Sequence, residues 1–373
     1  MRDAGISGFL QSRIEANDFP SAVYLVAEKG KIICQDALGF AVVEPEPTKA
    51  TPETIYDLAS LTKVLVTGVL CAKLLESGEI KLSDKIAGYF SEFVRTDKRE
   101  IKIGNLLTHT SGFTDWKPFY LMTNEKAAVP GLIADEPLEN PINSKVLYSD
   151  LNFLMLGFLL EKIYGKRLDE IAHQEIFAPL NLQNTFYNPP KNLQKRIAAS
   201  EKGNEHERKI CLERGYKVQN ASFAFRHQVI WGEVHDGNCY FLNGIAGHAG
   251  LFSNAAEVCK IAQQFLPNQT QLLRSETCEL FRANFTKGLN EARSLAFQLA
   301  ETPDSTASKA LSKDSFGHLG FTGTSLWIEP QNERIFILLT NRTHAHPLPF
   351  VNINAVRRKF HEIAQKILTI APK

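Results

Sequence analysis

Ser60-Leu61-Thr62-Lys63 puts a hydroxyl and an amine three residues apart at the start of an apolar run. On a helix such residues share a face, so Lys63 stands beside Ser60. A lysine amine can take a serine proton when burial or nearby positive charge keeps it neutral. The helix N-terminus adds backbone N–H groups and a partial positive charge, which suit an oxyanion. Four residues thus offer a nucleophile, a base and part of an oxyanion hole. Alone the motif is weak, because roughly one Ser-x-x-Lys is expected by chance in a chain this long. The plain alternative is a helix-start serine followed by a solvated lysine.

Two downstream constellations add to it. Tyr148-Ser149-Asp150-Leu151-Asn152 lies in a turn ahead of an apolar helix. A tyrosine there can shuttle protons if neighbouring cations lower its phenol pKa. The local pattern by itself reads as a buried tyrosine with Asp150 as the helix N-cap. The third constellation runs from Gly317-His318-Leu319-Gly320-Phe321 to Trp327, leading into a strand. Its glycines let backbone approach a ligand closely, and an edge N–H there can be a second oxyanion donor. His318 can donate a hydrogen bond to a substrate carboxylate or tune the tyrosine. The alternative is a glycine-rich strand entry with an incidental histidine.

The elements that must position these residues are legible in outline. Residues 22–28 and 31–38 flank Lys29-Gly30 and read as a hairpin. A buried helix is predicted from Ser60 to about Leu75, closed by Gly78. Short helices are expected over 84–93 and 100–107. An apolar helix follows from Leu151 to Tyr164, ending at Gly165, and another from Leu168 to Phe177. Residues 188–220 are polar and read as an exposed excursion. Glu257 to Phe265 is helical, 324–329 and 334–340 are strands, and 351–369 is a closing amphipathic helix. The N-terminus to about Ala16 reads as a short amphipathic helix. This predicts an α+β fold. A sheet built from residues 1–67 and 244–373 is covered by the terminal helices, and a mainly helical part over 68–243 lies between.

Composition narrows the function classes. The chain has 373 residues, 44% apolar and 22% charged, and a net charge of +1, which argues against a nucleic-acid or polyanion surface. No apolar run reaches the length of a membrane span. No signal-peptide core is present, so the chain as given reads as cytoplasmic, or as periplasmic or secreted if a leader was removed. Six widely spaced cysteines favour free thiols, and none has the local pattern of a catalytic cysteine. There is no Gly-x-Ser-x-Gly elbow and no phosphate-binding loop.

With its three motifs in this order, the chain resembles the serine β-lactamase and penicillin-recognising superfamily. The likeness is to class C β-lactamases, their esterase relatives and D-alanyl-D-alanine carboxypeptidases. Phe19-Pro20-Ser21-Ala22-Val23, Leu106-Leu107-Thr108-His109-Thr110-Ser111-Gly112-Phe113, Gly244 to Ser253 and Leu339-Thr340-Asn341-Arg342 carry it along nearly the whole chain. The resemblance implies a mostly antiparallel sheet flanked by helices, an all-helical second domain, and a site in the cleft between them. It implies Ser60 as the acylated nucleophile, Lys63 as its base partner and Tyr148 as the proton shuttle. The N–H groups of Ser60 and Phe321 would form the oxyanion hole. His318-Leu319-Gly320 stands in the place of Lys-Thr-Gly.

Two departures bear on substrate. Asp150 replaces the usual asparagine, and an ionised carboxylate cannot donate to a substrate carbonyl. Paired with Lys63 it would favour the charged amine, which shifts the base role to Tyr148. His318 replaces a lysine and would hold a substrate carboxylate less firmly.

No cofactor or metal is expected. His235 and His248 lack ligand-like spacing, with His248 also placed near the cleft wall. His109 is expected to make a hydrogen bond within its loop, and His344 and His346 are expected in a loop. The expected function is a serine hydrolase of a small ester or cell-wall-related amide, with a β-lactamase as an alternative within the same chemistry. A binding or sensing module that keeps the fold without turnover is the competing reading.

Overall fold

The computed structural model describes residues 2–218 and 225–370. The hairpin strands Ser21–Glu28 and Lys31–Val42 pair antiparallel, and Ser21–Glu28 also pairs with Arg334–Thr340. The latter pairs with Ser325–Glu329, then come Phe316–Leu319 and Gln298–Leu299. The short strand Thr48–Lys49 completes a seven-stranded antiparallel sheet at the other edge. Every strand of this sheet lies before residue 50 or after residue 297.

The central strands are apolar throughout their middles, residues 22–27 and 335–339, because both faces are covered. Val23, Leu25 and Ala27 face one core with Ile335, Ile337 and Leu339, opposite the helix that follows Ser60. Ala22, Tyr24 and Val26 face a second core with Phe336 and Leu338. That side is closed by Ala4–Glu15 and Asn354–Ile370, which contribute Ile6, Leu10, Phe360 and Ala364. The helices of the middle of the chain share the first core continuously with the sheet. Among the described residues no helix is long and apolar enough to cross a membrane.

Most predicted elements are present. Lys63–Gly68 and Val69–Ser77 form one helix ending at Gly78, whose φ of 77° is the left-handed C-cap. The helix Asp150–Tyr164 ends at Gly165 in the same way, with φ 64°. Over 84–107 only Ile103–Leu107 is α-helical, and Ile86–Gly88 and Ser91–Phe93 are single 3₁₀ turns.

The excursion predicted over 188–220 is not simply exposed. Its described part, to residue 218, contains the helix Glu205–Glu213, and Ala199, Glu201, Asn204, Glu207 and Cys211 are buried. Its polar residues are buried because each finds a partner. Glu201 meets His235 Nε2 at 2.7 Å, Glu207 accepts from the Tyr120 hydroxyl at 2.8 Å, and Asn204 accepts from Arg226 at 2.9 Å.

Candidate active site

A second, three-stranded sheet fixes the approach to Ser60. Tyr56–Asp57 and Phe186–Tyr187 both pair with Leu251–Ser253. From the large sheet, the Thr322 hydroxyl donates to the Asp57 carbonyl and the Thr324 hydroxyl to that of Leu58. The Asp57 carboxylate accepts from the N–H groups of Ala59 at 2.8 Å and His235 at 2.7 Å. Ala59, thus gripped, has a φ of 48°. A left-handed alanine costs about 1 kcal/mol or more and persists only where surroundings enforce it. The turn sets Ser60 at the mouth of the helix, on the wall of a cleft of about 590 Å³.

Lys63 is fully buried one helical turn on. Its Nζ donates to Ser60 Oγ at 3.0 Å and to the His248 carbonyl at 3.0 Å, and lies 2.7 Å from Asp150 Oδ1. From Lys63 to Gly68 the helix opens into a π turn, a form found at functional sites. Within that turn the Thr67 hydroxyl donates to the Gly247 carbonyl at 2.6 Å. Gly247 touches the helix Asp150–Tyr164 directly, and a Cβ there would fall on the Phe153 carbonyl oxygen. Gly247→Ala should therefore cost about 2 kcal/mol in urea unfolding and shift the carbonyl that holds Lys63. An unchanged urea midpoint would contradict this packing.

Asp150 reaches Lys63 because it is not the N-cap. Ser149 caps the helix, its hydroxyl accepting from the Leu151 N–H at 3.2 Å, and Asp150 is the first helical residue. There the helix dipole favours a carboxylate. His109 does not bond only within its own loop. Its Nδ1 accepts from the Ser149 N–H at 3.1 Å, and its ring lies 4.6 Å from that of Tyr148.

The electrostatics differ from the sequence expectation at two residues. Burial drives the Tyr148 phenol up, and although Lys63 opposes this, the net shift is upward, not down. Burial drives the His318 imidazole well down, helped by Arg293 and Lys63, so the ring is neutral. Its Nδ1 lies 2.9 Å from the Leu319 carbonyl, which can only accept, so Nδ1 carries the proton. The buried Nε2 is left as an unpartnered acceptor, where the sequence suggested a donor to carboxylate. For Lys63, burial alone would lower the pKa, but Asp150 and Tyr148 outweigh it and hold the ammonium charged.

Ser60, Lys63, Tyr148, Asp150, His318, Gly320 and Phe321 are thus brought to one site. The N–H groups of Ser60 and Phe321 make no hydrogen bond among the described residues, whereas the Gly320 N–H is spent on the Thr324 carbonyl.

Sequence reading missed the arginines. Arg293 stacks 5.5 Å from the Tyr148 ring and pairs with Glu291 through Nη2 at 2.6 Å, while its buried Nε and Nη1 have no hydrogen-bond partner among the described residues. Arg342 and Arg357 line the same cleft without an acidic partner among the described residues. Their burial lowers them to about 10 and about 9, which leaves both charged at neutral pH. Arg342 lay in the motif Leu339-Thr340-Asn341-Arg342 after the last core strand and Arg357 in the predicted closing helix, but neither was marked as a site residue.

His235 is a structural residue paired with Glu201. His248 Nε2 meets Asp236 at 2.9 Å, and donor atoms of Asp150, Asp236 and His248 lie within 4.8 Å of one another. The Lys63 ammonium lies 2.7 Å from Asp150 in this cluster. His344 lies in a turn, as expected, and is buried there, its Nε2 accepting from the Val43 N–H at 2.8 Å.

Comparison with known proteins agrees with this geometry. Residues 6–358 match the model of the Beta-lactamase family. An Escherichia coli (strain K12) protein named "Putative D-alanyl-D-alanine carboxypeptidase" is 30% identical over 355 residues, covering 88% of this chain and 79% of that protein. A Bacillus subtilis (strain 168) protein named N-acetylmuramyl-L-alanine amidase is 30% identical over 364 residues, covering 88% and 78%. Among solved structures, a class C β-lactamase superposes with a TM-score of 0.75 at 15% identity, covering 100% of this chain and 99% of that one. EstCE1, a hydrolase with promiscuous acyltransferase activity, superposes at 0.73 with 18% identity, covering 96% and 97%. A family match over nearly the whole chain and an antiparallel sheet flanked by helices agree, and the chain belongs to the Beta-lactamase family, within the superfamily of serine β-lactamases and penicillin-binding proteins.

Proposed function

We propose that the protein is a serine acyl hydrolase that forms an acyl-enzyme on Ser60 and acts on a cell-wall-derived amide carrying a carboxylate. The observation that carries the chemistry is the 3.0 Å contact between Ser60 Oγ and Lys63 Nζ, beside the free N–H groups of Ser60 and Phe321. Ser60 attacks the carbonyl carbon, and those two N–H groups receive the oxyanion. Lys63 and Tyr148 carry the proton to the leaving group. Water then cleaves the acyl-enzyme with Tyr148 relaying its proton.

The substrate class rests on charge. Three arginines line the cleft: among the described residues Arg342 and Arg357 have no acidic partner, and Arg293 is paired with Glu291 through Nη2 alone, which leaves its buried Nε and Nη1 without a hydrogen-bond partner. A buried cation left unpaired is costly, and an anionic ligand relieves that cost. The neutral His318 cannot supply the charge, so Arg293 is assigned that part. The relatives named "Putative D-alanyl-D-alanine carboxypeptidase" and N-acetylmuramyl-L-alanine amidase support an amide substrate of this class.

The test is turnover of three probes: a D-alanyl-D-alanine peptide, an N-acetylmuramyl-L-alanine peptide and a neutral p-nitrophenyl ester. Hydrolysis of either carboxylate-bearing amide with higher kcat/KM than the ester is expected. Arg293→Gln should raise KM for that amide about 10- to 100-fold and leave the ester within about threefold, as loss of one charged hydrogen bond would. An equal effect on ester and amide would remove Arg293 from substrate recognition. Turnover of the ester alone would make the protein an esterase.

A further inference from the structure

We propose that Asp150 is the group that finally takes the Ser60 proton, passed to it through Lys63, so that Ser60, Lys63 and Asp150 work as a relay. This rests on the acyl-enzyme reading above. The geometry is direct. Lys63 Nζ bridges Ser60 Oγ at 3.0 Å and Asp150 Oδ1 at 2.7 Å, and the amine is sealed from solvent. Its other neighbours are the Tyr148 phenol and the His248 carbonyl at 3.0 Å, and the carbonyl can accept a hydrogen bond but has no role as a base at neutral pH.

The other candidates fail in turn. The ammonium already holds its full set of protons and can take another only as it gives one away. The Tyr148 phenol is held protonated by burial. The His248 ring points to Asp236, which is also spent on the Cys239 N–H at 2.7 Å. Among the described residues Asp150 is the one carboxylate in contact with the amine that touches Ser60. An asparagine at this position could not accept the proton, so the departure from the family pattern gains a chemical purpose.

The step balances as follows. The Oγ lone pair forms the bond to the carbonyl carbon, and the C=O π pair moves to oxygen. The Oγ–H proton passes to Nζ as an Nζ–H proton passes to Asp150 Oδ1. Lys63 remains an ammonium and Asp150 becomes a neutral acid. On collapse the bond to the leaving group breaks. The leaving group takes the Tyr148 hydroxyl proton, Tyr148 takes one from Nζ, and Nζ recovers one from Asp150, so the resting charges return.

The test compares wild type with Asp150→Asn on the same amide or ester, with circular dichroism to verify the fold. The groups facing Asp150 are Lys63, Tyr148, Asp236 and His248, and all stay in place in the variant. At pH 7 we expect kcat to fall about 100- to 1000-fold with KM within about threefold, the scale of general-base loss. Activity of the variant should climb as pH rises, because Lys63 without its carboxylate becomes a free amine in alkali. If the amine were the base in wild type, losing Asp150 would free it. The variant would then match or exceed wild type at pH 7, and the relay would be overturned.

Should the variant not fold, a proton inventory of wild-type acylation decides. Two protons in flight give a bowed dependence on deuterium fraction, whereas a straight line would overturn the relay. Wild-type labelling at Ser60 is a separate result, so loss of the acyl-enzyme reading is distinguishable from loss of the relay.

Discussion

Ser60→Ala should lower kcat/KM by about 10⁴- to 10⁶-fold while the protein stays folded. The scale follows from removing the atom that becomes covalently bound, which in nucleophile-dependent hydrolases leaves only the catalysis of the oxyanion hole and binding. Folding should survive because Ser60 Oγ bonds only to the neighbouring site side chains Lys63 and Tyr148 among the described residues, and lies on the cleft wall rather than in a core. Losing that contact costs the amine one acceptor while its ion pair with Asp150 and the His248 carbonyl remain. Steady-state turnover together with a thermal melt measures both halves. A folded variant retaining more than about 1% of activity would contradict the assignment of the nucleophile.

Lys63→Met should remove activity and also stability. The ammonium is buried and carries an ion pair at 2.7 Å, so methionine leaves Asp150 without its counterion. Breaking such a pair typically costs about 3–5 kcal/mol, and the partial exposure of Asp150 places this case near about 3 kcal/mol. The pH dependence has a definite sign. The folded pKa of Lys63 lies above its ordinary value of 10.5. Its contribution is therefore complete below that value and is lost as pH rises through the folded pKa. The gap between wild type and variant should hold across neutral pH and close only in strong alkali. Urea unfolding at pH 7 and at alkaline pH reads it. A gap that widens in alkali would contradict a charged, paired Lys63.

The site's skeleton was legible because its signals are local. Three-residue spacing puts Lys63 beside Ser60, and Gly78 and Gly165 end their helices for a backbone reason readable from sequence. Unbroken apolar runs such as residues 335–339 announce a sheet covered on both faces.

What was not legible depends on partners far apart in the chain. Glu201, Asn204 and Glu207 look solvated by composition, yet each is buried against a residue at least 22 positions away or more. Arg293 sits among polar loop residues with no periodicity to mark it, and only the folded chain brings it over Tyr148. The directions of the Tyr148 and His318 shifts were hidden for the same reason. Neighbouring cations could be guessed, but the depth of burial that outweighs or reinforces them is a property of the tertiary structure. Asp150 was visible as a departure, but the sequence could not show that Ser149 takes over the capping and frees the carboxylate.

The most direct measurement of the central claim is intact mass after exposure to a fluorophosphonate probe, on wild type and on Ser60→Ala. The account predicts a single adduct on wild type and none on the variant. No adduct on either protein, or the same adduct on both, would contradict an activated Ser60 and turn attention to a binding module that keeps this fold without turnover.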